Sequence, residues 1–301
     1  MYDIGEVYDI GKVYDIGEVY DTGSALGDAA SPAVIQKKRM KISAVADIIE
    51  QMEKQKRKSR GLLAGLIIMI IALVFAGLYI LVKNKMIHVN ELCISSRDVV
   101  GVDISWYQGD VNMDQLSKQG VSFIYIKATE GASHTDSRFR ENWIKASQSN
   151  LMRGAYHFFS FESSGAEQAK HFIEVVGDLE GNLIPVVDVE YYENMKLEPP
   201  AKEDLIRELH ACLNTLEAYY NVTPMIYCSR AVYKDYLAGE IDDYPMWVRS
   251  IYLPAGVEGW KDWTMWQYSD TTQLDGYSGG EKYIDMNVLS QDVTLEDLTV
   301  R

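Results

Sequence analysis

The residues best suited to chemistry stand at the ends of short apolar runs. Pro185-Val186-Val187-Asp188-Val189-Glu190 closes an otherwise apolar stretch with two carboxylates two positions apart. On an extended strand that spacing puts both side chains on one face, at adjacent heights. Hydrolysis of a glycosidic bond needs such a set: an acid to protonate the departing oxygen and a group that stabilises positive charge at the anomeric carbon. An ionised carboxylate raises the pKa of its neighbour, which keeps one of the two protonated near neutral pH. The same Asp-x-Glu spacing also occurs on solvated strand edges, so the pair alone does not fix a function.

Other runs end in the same manner, as Val102-Asp103-Ile104-Ser105, Tyr125-Ile126-Lys127-Ala128-Thr129-Glu130 and Tyr156-His157-Phe158-Phe159, while a last one contains Tyr283-Ile284-Asp285-Met286-Asn287. In a β/α barrel the functional side chains sit at the C-terminal strand ends, which brings Asp103, Asp188, Glu190 and Asp285 together at one mouth as candidate acids. Tyr125, Lys127, Tyr156 and His157 are the polar candidates for contact with sugar hydroxyls or with the acids. Trp247, Trp266 and Tyr268 offer flat faces on which a pyranose ring can stack, or else fill the core. Four carboxylates could also hold a hard cation, but no Asp/Asn-rich loop accompanies them, and neither a metal nor a cofactor is expected.

The elements that must position these residues alternate from Asp98 onward. Strands are expected at 99–104, 121–127, 153–159, 183–190, 224–228, 246–250, 263–268 and 283–288, from β-branched and aromatic runs. Helices are expected at 112–119, 137–149, 164–177 and 202–220, with a shorter one near 230–238. Eight strands with helices between the first ones predict an α/β fold, a β/α barrel made irregular where the later loops are too short for full helices.

Ahead of the barrel the chain changes character. Residues 1–36 repeat a Tyr-Asp-Ile-Gly-Glu/Lys-Val hexapeptide and carry one Lys against seven acids, which predicts a disordered acidic tail. Residues 37–60 form a basic segment with nine Lys/Arg against three acids. Residues 61–82 are an uncharged run of 22 residues, enough to span roughly 33 Å as a helix and cross a lipid bilayer. A cleaved signal peptide would have a shorter apolar core nearer the start of the chain. The Lys/Arg excess before the run predicts a cytoplasmic N-terminus and an external domain at 98–301, joined by a connector over 83–97.

That domain carries sixteen Lys/Arg against thirty-three acids, a field that repels phosphate backbones and argues against nucleic acid as a partner. Cys93, Cys212 and Cys228 show no C-x-x-C spacing, which argues against a zinc ribbon or a disulfide framework and predicts two buried thiols and one exposed one.

Taken in order, Gly101-Val102-Asp103-Ile104-Ser105, Ile126-Lys127-Ala128-Thr129-Glu130-Gly131, Gly154-Ala155-Tyr156-His157-Phe158, Pro185 to Glu190, Met265-Trp266-Gln267-Tyr268 and Asp285-Met286-Asn287 resemble family 25 of the glycoside hydrolases, the Chalaropsis-type lysozymes or N-acetylmuramidases. The resemblance covers about residues 98–292. It implies a flattened barrel and cleavage of peptidoglycan glycan strands after N-acetylmuramic acid. It also implies Glu190 as proton donor, Asp188 orienting the acetamido group or stabilising the charged intermediate, and Asp103 and Asp285 as supporting carboxylates. Arg249 departs from the pattern, since a small residue is expected after Trp247-Val248. Two other readings remain. A chitinase-like hexosaminidase also ends a barrel strand in Asp-x-Glu, but wants a further Asp where Val186 stands. A silent wall-binding module would use the same cleft for docking alone.

Overall fold

The computed structural model describes residues 32–192, 199–260 and 262–301, and the chain divides into two units, Met1–Val74 and Phe75–Arg301. The hexapeptide repeats lie outside the described residues. Helix α1 runs from Pro32 to Lys83, so the last residues of the expected tail, the basic segment and the apolar run are one continuous helix. Pro32 suits its first position, where a missing N–H costs no hydrogen bond. The stretch Arg39–Lys83 is long and apolar enough to cross a membrane, and its most apolar part is not buried by the protein.

The second unit holds the barrel. Its strands are β1 (Val100–Ile104), β2 (Phe123–Glu130), the two-residue β3 (His134–Thr135), β4 (Met152–Phe158), β5 (Val186–Val189), β6 (Met225–Ser229), β7 (Met246–Arg249), β8 (Met265–Thr272) and β9 (Ile284–Leu289). They follow the order β1-β9-β8-β7-β6-β5-β4-β2, and the pairing of β1 with β2 closes eight of them into a barrel; β3 only extends the tip of β2. All eight expected strands form. Helices α2 (Met113–Lys118), α3 (Phe139–Ser147), α4 (Gly165–Val176) and α5 (Lys202–Tyr220) connect the earlier strands. After β6, among the described residues, there is only the short α6 (Arg230–Val232), which runs into a π-helical turn at Tyr233–Leu237. Loops without helices join the last three strands, which makes this side of the barrel irregular.

The last strand breaks the parallel rule. β9 runs antiparallel to both β1 and β8, and Asp285, near its start, is the direct partner of Asp103 on β1. An antiparallel strand presents its beginning at the mouth where parallel strands present their ends, and this brings Asp285 to the other acids.

Inside the barrel, aromatic rings leave no room for side chains at two glycines. A Cβ on Gly101 would lie 2.3 Å from the Phe123 ring, and one on Gly154 would lie 2.3 Å from the Tyr125 ring. Outside it, α4 and α5 approach so closely at Gly165 that a Cβ there would strike the Glu208 carbonyl oxygen. Buried Ala169, Phe172 and Val176 of α4, with Leu205, Leu209 and Leu216 of α5, form helical stripes three, four or seven residues apart against the strands. Cys212 and Cys228 are buried and Cys93 is exposed.

Candidate active site

A cavity of about 470 Å³ opens at the barrel mouth, and Asp103, Asp188, Glu190 and Asp285 all line it. Alternation along each strand decides which neighbours join them. Lys127, Tyr156 and Trp247 face the cavity. His157, one residue from Tyr156, points the other way and is fully buried. It bridges Thr129 Oγ1 on β2 at 2.8 Å and Gln168 Oε1 on α4 at 3.0 Å, and burial pushes its pKa down to about 4. It is therefore a neutral tie between strand and helix.

Three other candidates also fall outside the lining. Trp266 donates its indole N–H to Ser250 O at 2.8 Å and packs edge-on against Tyr268. Both flank Gln267, which faces inward in their place. Tyr125 has the right alternation but sits a layer deeper, its ring 5.2 Å from that of Trp247 and its hydroxyl donating to Ile184 O at 3.2 Å.

A buried chain of polar groups holds Asp103. Asn287 Nδ2 and Gln267 Nε2 donate to its Oδ2 at 2.8 and 3.0 Å, and Trp247 Nε1 donates to Asn287 Oδ1 at 2.9 Å. The Tyr227 hydroxyl lies 2.9 Å from Gln267 Oε1 and 3.4 Å from Glu190 Oε1. A hydroxyl has one proton, and the nearer Gln267 takes it. The Tyr227 oxygen is then free to accept a hydrogen bond from Glu190 when that carboxyl is protonated. Sequence reasoning missed Tyr227, Gln267 and Asn287 as site residues. Position parity relative to Asp103 and Asp285 was the available signal, since Asn287 follows Asp285 by two.

Electrostatics favour protons in this cavity. Burial raises the Asp188 carboxyl well above the usual carboxylate range, and the Glu190 charge adds to it against the pull of Lys127 and Arg249. Burial raises Glu190 too, opposed first by Arg249. Asp285 is driven well up by burial and then by Asp103. Asp103 is raised by burial while its two amide donors hold it back. Four acids so close cannot all ionise at neutral pH. Asp188 lines the cavity, and its Oδ1 is buried without a hydrogen-bond partner.

With that geometry in place, the similarities to known proteins are decisive. Residues 102–277 match the model of the glycosyl hydrolases family 25. The chain belongs to this family. A family 25 glycosyl hydrolase from Bacillus anthracis has a similar structure, with TM-score 0.62 and 39% identity over 66% of this chain and 93% of that one. The YegX protein of Escherichia coli K12 is 34% identical over 209 residues, 68% of this chain and 73% of its own. Lysozyme M1 of Streptomyces globisporus is 32% identical over 194 residues, 60% of this chain and 65% of its own. These relationships support a glycosidase acting on a peptidoglycan-type substrate.

Within this family 25 site, Arg249 is accommodated by a partner of its own. Its Nη2 donates to Asp270 Oδ2 at 2.9 Å, and Asp270 lines the cavity. Burial works against the Arg249 charge, but Tyr227, Glu190, Asp270 and Asp285 outweigh it and raise its pKa. Lys127 binds Glu130 at 2.7 Å across the rim. At the outer edge Trp106 and Tyr107 are about half exposed, with ring centroids 4.1 Å apart, and Tyr107 lines the cavity. This pair was also missed from sequence, because it lies in a turn after β1 rather than on a strand.

Proposed function

We propose that this chain is a membrane-anchored N-acetylmuramidase of the Chalaropsis type. It hydrolyses the β-1,4 bond between N-acetylmuramic acid and N-acetylglucosamine in peptidoglycan. Glu190 donates the proton to the departing oxygen. Asp188 accepts the acetamido N–H, which turns the acetamido oxygen toward the anomeric carbon, and that oxygen attacks as the bond breaks. Glu190, now ionised, takes a proton from the water that opens the cyclic intermediate. Asp103 and Asp285 support the charge. The observation that most favours this reading is that Asp188 and Glu190 line one cavity side by side, with Asp188 incompletely hydrogen-bonded, so its carboxyl can take the N–H of an N-acetyl group while Glu190 reaches the leaving oxygen.

Digestion of purified wall by the full-length chain in detergent tests it. N-acetylmuramic acid is expected at the new reducing ends, initially in the β configuration by proton NMR, and Glu190→Gln is expected to lower turnover by about two or more orders of magnitude. Near-normal turnover in that variant removes Glu190 from the mechanism. Cleavage of chitin in preference to wall supports the hexosaminidase, and binding to wall without cleavage supports the silent module.

The apolar part of α1 is the anchor in this reading, with the tail (1–36) and the basic segment (37–60) cytoplasmic and residues 98–301 outside. Protease added to wall-stripped cells should remove the external domain. Its protection would overturn the orientation.

A further inference from the structure

The connector after α1 is not a free tether. Helix α1 ends with Lys85 N–H donating to Val82 O at 3.0 Å and Met86 N–H to Leu81 O at 2.9 Å. This two-bond termination normally places glycine at its left-handed residue. Here that residue is Lys85, at φ 54°. A side chain in this backbone conformation is disfavoured, and where one persists the surroundings hold it there. The Lys85 side chain is held: its Nζ donates to both Asp270 oxygens, at 2.8 and 2.6 Å. Asp270 shares its charge with Arg249, and Lys85 itself lines the cavity that contains Asp188 and Glu190.

The residues around it are docked as well. Lys83 Nζ lies 4.5 Å from the centre of the Tyr252 ring. Asn90 is buried, and its amide donates to Ser250 O at 2.7 Å and Tyr268 O at 2.9 Å, the carbonyls that follow β7 and lie within β8. A polar side chain buried in this way on two main-chain acceptors fixes the connector against the barrel.

We propose that the docked connector, residues 83–93, sets Lys85 as a wall of the substrate cleft, a positioning residue that acts through Asp270 on Arg249 and narrows the cleft on the β7–β8 side. The wall governs substrate binding more than the chemical step. It also ties the rim of the cavity to the chain two residues past the end of α1.

The kinetic arm of the test rests on the muramidase reading; the exchange arm does not. Lys85→Gly relieves the left-handed backbone and removes the clamp at the same time. In the full-length chain in detergent it should raise KM for wall fragments by about tenfold, with the loss falling on KM rather than kcat. Deuterium uptake at the amides of residues 86–93 should rise with it. Lys85→Arg, which keeps a cation able to meet a carboxylate, should restore both toward the parent values. Asp270→Asn breaks the clamp from the barrel side without touching the connector backbone and should give the same rise in KM. A Lys85→Gly protein with parent KM and parent uptake reduces Lys85 to a helix terminator and overturns the proposal, as does an unchanged KM in Asp270→Asn. If the parent chain cleaves no wall, the muramidase reading falls and the uptake of residues 86–93 still decides whether the connector is docked.

Discussion

Asp188→Asn should make the enzyme worse and the fold better, and the two effects should part company with pH. Burial and the neighbouring Glu190 raise the folded-state pKa of Asp188. A carboxyl so raised stabilises the fold fully below its unfolded pKa of about 4, and that contribution is lost as pH rises through the folded value. At pH 7 the native chain therefore carries the cost of a carboxyl whose ionisation the site opposes, increased by the lack of any partner for Oδ1. Asparagine removes the charge at nearly constant volume. Relief of one such strained site is commonly worth about 1 kcal/mol, or roughly 2–4 °C in the melting temperature of a domain of this size. The gain should be present at pH 7 and shrink toward zero near pH 4. Turnover on wall should fall by about two orders of magnitude at both pH values, because an amide serves poorly as the acceptor for the acetamido N–H. Melting curves at the two pH values and release of soluble muropeptides measure the pair of effects. A melting gain equal at pH 4 and pH 7, or a loss of stability at pH 7, refutes the electrostatic reasoning.

Two further outcomes follow from other parts of the domain. His157 is neutral in the fold down to about pH 4 and protonates near 6.5 when unfolded, so stability should rise with pH across that window by up to about 3 kcal/mol from this residue; His157→Gln should flatten that part of the pH–stability curve relative to the parent, and an identical slope rejects it. Tyr107→Ala should raise KM for long glycan fragments by about three- to tenfold through loss of a stacking face, with short fragments affected less; equal effects on both lengths would take Tyr107 out of glycan binding.

Much of this molecule was legible in its sequence, for identifiable physical reasons. Strands and helices alternate with strong apolar periodicity, so all eight barrel strands were found, and the acids ending apolar runs were brought to one cavity as expected. The direction of β9 was not legible. The loop before it has neither the length nor the helix that would mark a crossover, and this shortness was read only as irregularity. Side-chain facing was read too loosely. Trp266 and Tyr268 attracted attention as aromatics, yet period-two alternation turns them away from the cavity and turns Gln267 in. Tyr125 faces inward but is sealed below Trp247, because depth along a strand is invisible to a rule about faces. Lys85 was missed for a different reason: its contact with Asp270 joins residues 185 positions apart, across the presumed boundary between connector and domain.

The raised pKa of both members of the Asp188–Glu190 pair carries a consequence for how substrate sets the proton. In the free site Asp188 is pushed up strongly by burial and by Glu190, while Glu190 is pushed up against the pull of Arg249 and lies near the Tyr227 hydroxyl. A proton held by such a pair belongs to both, and what binds next decides its position. An acetamido N–H donated to the Asp188 carboxyl favours its ionised form, because a hydrogen bond to a charged oxygen lowers its pKa. The same ionisation raises Glu190 through the like charge beside it. Lys127 and Arg249 act on the pair from β2 and β7 and Asp103 from β1; Arg249 is the strongest pull on Glu190 and Lys127 the stronger one on Asp188, so the free site favours the proton on Asp188. Binding of an N-acetylated sugar is thus expected to move the proton onto Glu190, the position that protonates the leaving oxygen. The alkaline limb of kcat, which reports the bound enzyme, should then lie at higher pH than that of kcat/KM, which reports the free one. Removing the acetamido group from the sugar at the cleavage site should bring the two limbs together. Coincident limbs on the N-acetylated substrate would mean that Glu190 holds its proton without help from the substrate, and the role given to Asp188 would fail with it.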